Sequence, residues 1–161
     1  LGGREARTVT VRPALAPLVV LVARTGLKPR LALEAAGGWT FGELRGDSGE
    51  EEWTVQDLGV GHAVLALRYR LRPRLHVRGG LGAIRYAADQ EGIFQDGSEL
   101  RPLLEVGAGT GWRIGGVRAT LELTGQAHAF ATPAMRREGA VDGTVYRAAL
   151  LAGVVFGAEE P

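Results

Sequence analysis

The sequence predicts an all-β protein: an eight-stranded antiparallel up-and-down β-barrel, transmembrane, with a polar filled lumen. Three observations predict it. Apolar and polar residues alternate with a period of two along most of the 161 residues. The connectors alternate between tight and long. The 25 glycines recur on the same strand faces as the long charged side chains.

The expected strands span 7–12, 18–24, 30–42, 57–71, 74–86, 103–113, 117–130 and 144–156 of a single domain covering 1–161. The clearest is 117–130, where Val117, Ala119, Leu121, Leu123, Gly125, Ala127 and Ala129 oppose Arg118, Thr120, Glu122, Thr124, Gln126, His128 and Phe130. In 30–42, Leu31, Leu33, Ala35, Gly37, Trp39 and Phe41 oppose Arg30, Glu34, Gly38 and Thr40. In 74–86, Leu75, Val77, Gly79, Leu81 and Ala83 oppose His76, Arg78, Gly80, Gly82 and Tyr86. The strands 103–113 and 144–156 repeat the pattern, with Glu105 and Arg113, then Arg147, on their polar faces. In 57–71, Leu65, Leu67, Tyr69 and Leu71 oppose His62, Arg68 and Arg70. The connectors 25–29, 71–73 and 114–116 are tight and hold Gly or Pro, whereas 43–54, 87–99 and 131–143 are long and polar. Tight turns at one end and long loops at the other describe a meander.

Such strands fit a soluble barrel with an apolar inside or a membrane barrel with an apolar outside. The polar face decides. It places Gly80 and Gly82 beside Arg78, and Gly107, Gly109 and Gly111 beside Glu105 and Arg113. Glycine weakens a solvated sheet face, but in a narrow lumen it makes room for a guanidinium. On the apolar face the aromatics Trp39, Phe41, Tyr69, Trp112, Tyr146 and Phe156 lie near strand ends, as in the interfacial girdles of membrane barrels. The apolar run 14–23 is too short for a spanning helix, which needs about 20 residues.

These segments resemble the small outer-membrane β-barrel family, which includes the transmembrane domain of outer membrane protein A. The resemblance rests on 29–35, on 67–75 running to Gly80-Leu81-Gly82-Ala83, on 105–109, and on a closing strand with the late aromatic Phe156. Two departures stand out: the first hairpin has almost no loop, about 13–17, and five residues follow Phe156. The resemblance implies a bacterial outer-membrane location, with a signal peptide already removed, and contact with outer-membrane lipids. It also implies a non-enzymatic structural, anchoring, adhesive or accessory role, with other envelope proteins or a larger membrane complex as partners. The alternative is a soluble, lipocalin-like barrel holding a small apolar ligand.

The lumen residues are expected to be Glu34, His62, Arg68, Arg78, Glu105, Arg118, Glu122, His128 and Arg147. Charges inside a low-dielectric lumen must pair, and eight strands leave room only for side chains, so they read as a plug. Glu105 and Glu122 are expected to pair with Arg118 and Arg147. Net charge is only +1, which argues against a nucleic-acid partner. It hides two opposed ends: 43–52 carries a net −4 and 87–99 another −4, while Arg24, Lys28, Arg30, Arg68, Arg70, Arg72 and Arg74 gather at the tight turns. Asp47, Glu50, Glu51, Asp89 and Asp96 are weak candidates for a divalent cation.

Chemistry has little support. With no Cys there is no thiol nucleophile, disulfide or Cys-ligated metal. Ser48 and Ser98 both lie in acidic loops, away from any expected lumen His. His76 is expected opposite about Arg68, roughly 20 Å from the level of His62 at about 3.3 Å per residue, too far for shared ligation. The glycines of 107–111 lack phosphate-loop spacing and the helix that should follow it. No cofactor and no metal centre are expected.

Overall fold

Alternation puts one face of every strand on one side of a single sheet. In the computed structural model, which describes residues 10–47, 51–88, 100–115, 117–130 and 143–156, the chain is all-β. Eight strands form one antiparallel sheet: β1 (Thr10–Pro13), β2 (Leu18–Lys28), β3 (Leu31–Asp47), β4 (Glu52–Arg70), β5 (Leu75–Ala88), β6 (Arg101–Ile114), β7 (Val117–Phe130) and β8 (Gly143–Val155).

From β2 onward each strand pairs with the next. The expected hairpin between the first two strands does not form. β3 has 17 residues, enough for both to lie along one of its edges: β1 pairs with 44–47 and β2 with 31–40. The segment between them stays against β3 because the Ala14 amide donates to the Glu43 carbonyl at 2.8 Å and the Thr40 hydroxyl donates to the Pro17 carbonyl at 2.7 Å. Pro13 and Pro17, which have no amide hydrogen, fall where an outer edge makes no demand for one.

This corrects the closed barrel. Eight strands make seven columns, so the two edges, β1 with β2 and then β8, run in the same direction and cannot pair antiparallel with each other. The sheet is not closed, and no ladder joins β8 to β1 or β2. It is nonetheless strongly curled, because side chains two columns apart meet on the concave face, as Tyr86 of β5 meets His128 of β7.

The concave face has two halves. Toward the long connectors it holds an apolar cluster of Leu58, Val60, Val64, Ala66, Ile84 and Leu103, with Ile84 at 0% and Leu103 at 1% exposure. Toward the tight turns it holds charge. The convex face carries Val19, Leu21, Leu65, Leu67, Leu81, Leu104, Val106, Leu123 and Leu150, all exposed. The larger part of the apolar surface is therefore turned away from the concave core.

Candidate functional site: a charged concave face

Register assembles the charged half. One row of directly opposed residues crosses all seven columns: Arg24, Glu34, Ala66, Gly80, Glu105, Gln126 and Arg147. The next inward rows toward the turns add Arg68 opposite Arg78, then His76 opposite Gly109, which is itself opposite Glu122.

Glu34, 1% exposed, accepts hydrogen bonds at Oε1 from Arg24 Nε at 2.5 Å and Arg68 Nη1 at 3.0 Å. Its Oε2 lies 3.8 Å from Arg78 Nη1. Arg78 is the hub. Its Nη2 is 2.7 Å from Glu105 Oε1, and its Nε donates to Glu122 Oε1. Glu105 Oε2 accepts from Gln126 Nε2 at 2.5 Å, and Glu122 Oε2 accepts from His76 Nε2 at 2.8 Å. Three guanidinium groups and three carboxylates cancel. A buried cluster of this kind persists because each charge has a partner of opposite sign.

Glycine supplies the space. A Cβ at Gly107 would stand 3.2 Å from both Arg78 and Glu122, and one at Gly109 would stand 2.6 Å from the His76 ring. A Cβ at Gly38 would collide with the His62 imidazole.

All nine expected lumen residues lie on the concave face, buried or half-buried, but the expected pairing is corrected. Glu105 and Glu122 meet Arg78, because the curl brings β5 against β7. Arg118 sits beyond the cluster at the turn end, and Arg147 Nη1 is buried without a hydrogen-bond partner. His62 sits opposite Ile84, among apolar neighbours, with Nδ1 unpartnered. His128 donates from Nδ1 to the Ala129 carbonyl at 3.1 Å, which leaves Nε2 of the neutral ring to accept from the Tyr86 hydroxyl at 2.6 Å.

Sequence reasoning missed Arg24, His76 and Gln126 as members of the network. Arg24 was legible only with the register, which shifts between Gly26 and Lys28. That one-residue slip turns Arg24 to the concave face. His76 pairs opposite Arg70 rather than Arg68, which sets it still further from the level of His62, roughly 26 Å along the strand.

Trp39, Phe41, Tyr69, Trp112, Tyr146 and Phe156 are all exposed. The Trp39 indole lies over Gly59 and Gly61 of β4 and meets the Phe41 ring edge-on at 5.8 Å between centroids. Of the acidic loop candidates, Glu50, Asp89 and Asp96 lie outside the described residues, Asp47 ends β3, and Glu51 is exposed. No group of three His, Asp or Glu among the described residues could hold a metal ion.

Comparison with protein-family models, with curated proteins and with solved structures returned no match.

Proposed function

We propose that this chain is a non-enzymatic membrane β-protein of the outer-membrane type, with a structural, anchoring, adhesive or accessory-subunit role in a bacterial envelope. The observation that carries the reading is the convex face. Along β8 and the residue just past its end it presents Tyr146, Ala148, Leu150, Ala152, Val154 and Phe156 without a polar interruption. Ten residue steps from Tyr146 to Phe156 are about 33 Å along the strand, and a tilt of about 40° foreshortens them to about 25 Å, the height of a barrel's apolar band. Leu81 at 70% and Leu150 at 69% exposure would be an odd expense in water, whereas lipid accepts them. The charged concave face is then the filled interior, with outer-membrane lipid and other envelope proteins as neighbours.

A soluble carrier of an apolar ligand would turn this stripe inward, and here it faces out. The test is extraction. The chain should require detergent to stay monodisperse and should migrate differently in SDS before and after boiling. A monodisperse, folded preparation in plain buffer would overturn the membrane reading.

A further inference from the structure

The sheet ends in two open edges, and they are not alike. Natural sheets keep an edge from recruiting further strands with proline, lysine and irregular register. The β1–β2 edge has all three: Pro13 and Pro17 interrupt it, the register slips between Gly26 and Lys28, and Lys28 ends it. β8 has none of them. Its 13 residues hold no proline and no lysine, and its one charged residue, Arg147, lies on the concave face. We propose that the outer edge of β8 accepts one extended segment of a partner polypeptide, added antiparallel with a carboxylate facing Arg147.

Arg147 specifies what the segment carries. It stands in the last column of the charged row, with Gln126 opposite it on one side only, and the Gln126 side-chain amide is already donated to Glu105. Within the cluster Arg24, Arg68 and Arg78 are matched by Glu34, Glu105 and Glu122. Arg147 has no ion pair among the described residues, and its Nη1 is buried without a hydrogen-bond partner. An inward charge on an edge strand repels an apolar newcomer, so it selects a segment that brings Glu or Asp to this row. On the convex side the segment would lie beside Tyr146, Ala148 and Leu150, all exposed, where apolar residues fit. The occupant is thus an alternating strand with an inward acid.

Strand direction argues against the other occupants. β1, β2 and β8 all run the same way, so the chain cannot close on itself by an antiparallel ladder. Copies inserted the same way up in a membrane present edges that all run alike, so a second copy cannot add antiparallel either; this step rests on the membrane reading. One strand from a different chain, antiparallel to β8, is antiparallel to β1 and β2 as well. It therefore suits both edges. Every second residue of β8 turns its amide and carbonyl outward, about six residues in all, and hydrocarbon offers such groups no partner. An added strand supplies them from its own main chain, while alternate side chains set the specificity.

The test uses a fluorescent synthetic strand of about ten residues, valine alternating with threonine, with one central threonine replaced by glutamate and a lysine at each end. It is titrated by anisotropy into the chain folded in dodecyl maltoside or, if no detergent is needed, in buffer. Saturable binding is expected. Glutamine in place of the peptide glutamate should weaken it about tenfold or more, the usual worth of a charge-assisted hydrogen bond, and Arg147→Gln should erase that difference between the two peptides. Should Arg147→Gln misfold, Arg147→Lys, which keeps the charge and loses the planar fork, should shrink the difference. N-methylation of alternate peptide amides should abolish binding in at least one of its two phases. The chain has no cysteine, so Ala148→Cys on β8 should form a disulfide with a cysteine-bearing peptide, and Ala63→Cys, exposed on the inner strand β4, should not. No saturable binding, equal affinity for the two peptides with Arg147 in place, indifference to N-methylation in both phases, or equal cross-linking at the two cysteines would overturn the proposal. So would a disulfide-linked dimer of the Ala148→Cys chain that excludes the peptide, which assigns the edge to a second copy. Binding by a chain that needs no detergent overturns the membrane reading alone, and a detergent-requiring chain that does not bind overturns this proposal alone.

Discussion

Arg78 of β5 and Glu122 of β7 are joined by a direct ion pair across the glycines of the strand between them. The same guanidinium reaches Glu105 of β6 and Glu34 of β3, so one side chain ties four columns of the sheet. Removing it leaves buried Glu105 with only the Gln126 amide, and Glu122 with only His76, while Glu34 keeps Arg24 and Arg68. Arg78→Met is expected to cost about 3–5 kcal/mol, the range for breaking a buried ion pair from one side. Urea unfolding followed by tryptophan fluorescence measures it. A loss below about 1 kcal/mol would mean that water reaches the cluster.

Glu105→Gln with Glu122→Gln attacks the same cluster from the other side. It leaves Arg78 only the 3.8 Å approach to Glu34, and it should destabilise the fold by a similar amount. The triple variant that adds Arg78→Met should recover part of the loss, because neutral partners need no counter-charge. Non-additivity in this cycle is the readout.

Arg147 is the contrasting case. It ends the row that begins at Arg24 and faces Gln126 from the edge strand β8; its Nη1, like that of Arg78, is buried without a hydrogen-bond partner, but unlike Arg78 it has no ion pair among the described residues. Arg147→Met should be neutral or mildly stabilising, because it removes an ill-satisfied charge from a buried position. The same unfolding assay compares it with Arg78→Met, and equal losses would refute the difference in their roles.

The glycines divide by surroundings. Gly38→Ala drives a methyl into the His62 ring and is expected to cost about 1–3 kcal/mol, as overpacked sites do. Gly79→Ala meets nothing within 4 Å on its added Cβ and should shift stability by no more than about 0.5 kcal/mol. Thermal unfolding of the pair is sufficient.

Leu81→Arg and Leu150→Arg test the convex face. If lipid covers it, each should cost about 2–4 kcal/mol when the chain is folded into phosphatidylcholine vesicles. In water the same changes at exposed sites would be nearly silent.

The sequence by itself determined which side chains share a face. Period-two alternation placed Glu34, Arg78, Glu105 and Glu122 together and put Leu81 and Leu150 opposite them, because successive Cβ atoms leave a strand on opposite sides. It also marked the tight turns by their Gly and Pro, and from Arg30, Arg70, Arg72 and Arg74 it showed a basic end. What it could not supply is lateral position. A strand's pattern says which face a residue takes, not which column or row it occupies, and those are settled by backbone ladders and turn geometry. Only the tertiary structure decided that β1 and β2 share one edge of β3, since two short segments and one long one pair that way as readily as in a hairpin. The register shift near Gly26 turned Arg24 onto Glu34, and the curl of the sheet brought Arg78 to Glu122 over Gly107 rather than leaving each beside its sequence neighbours.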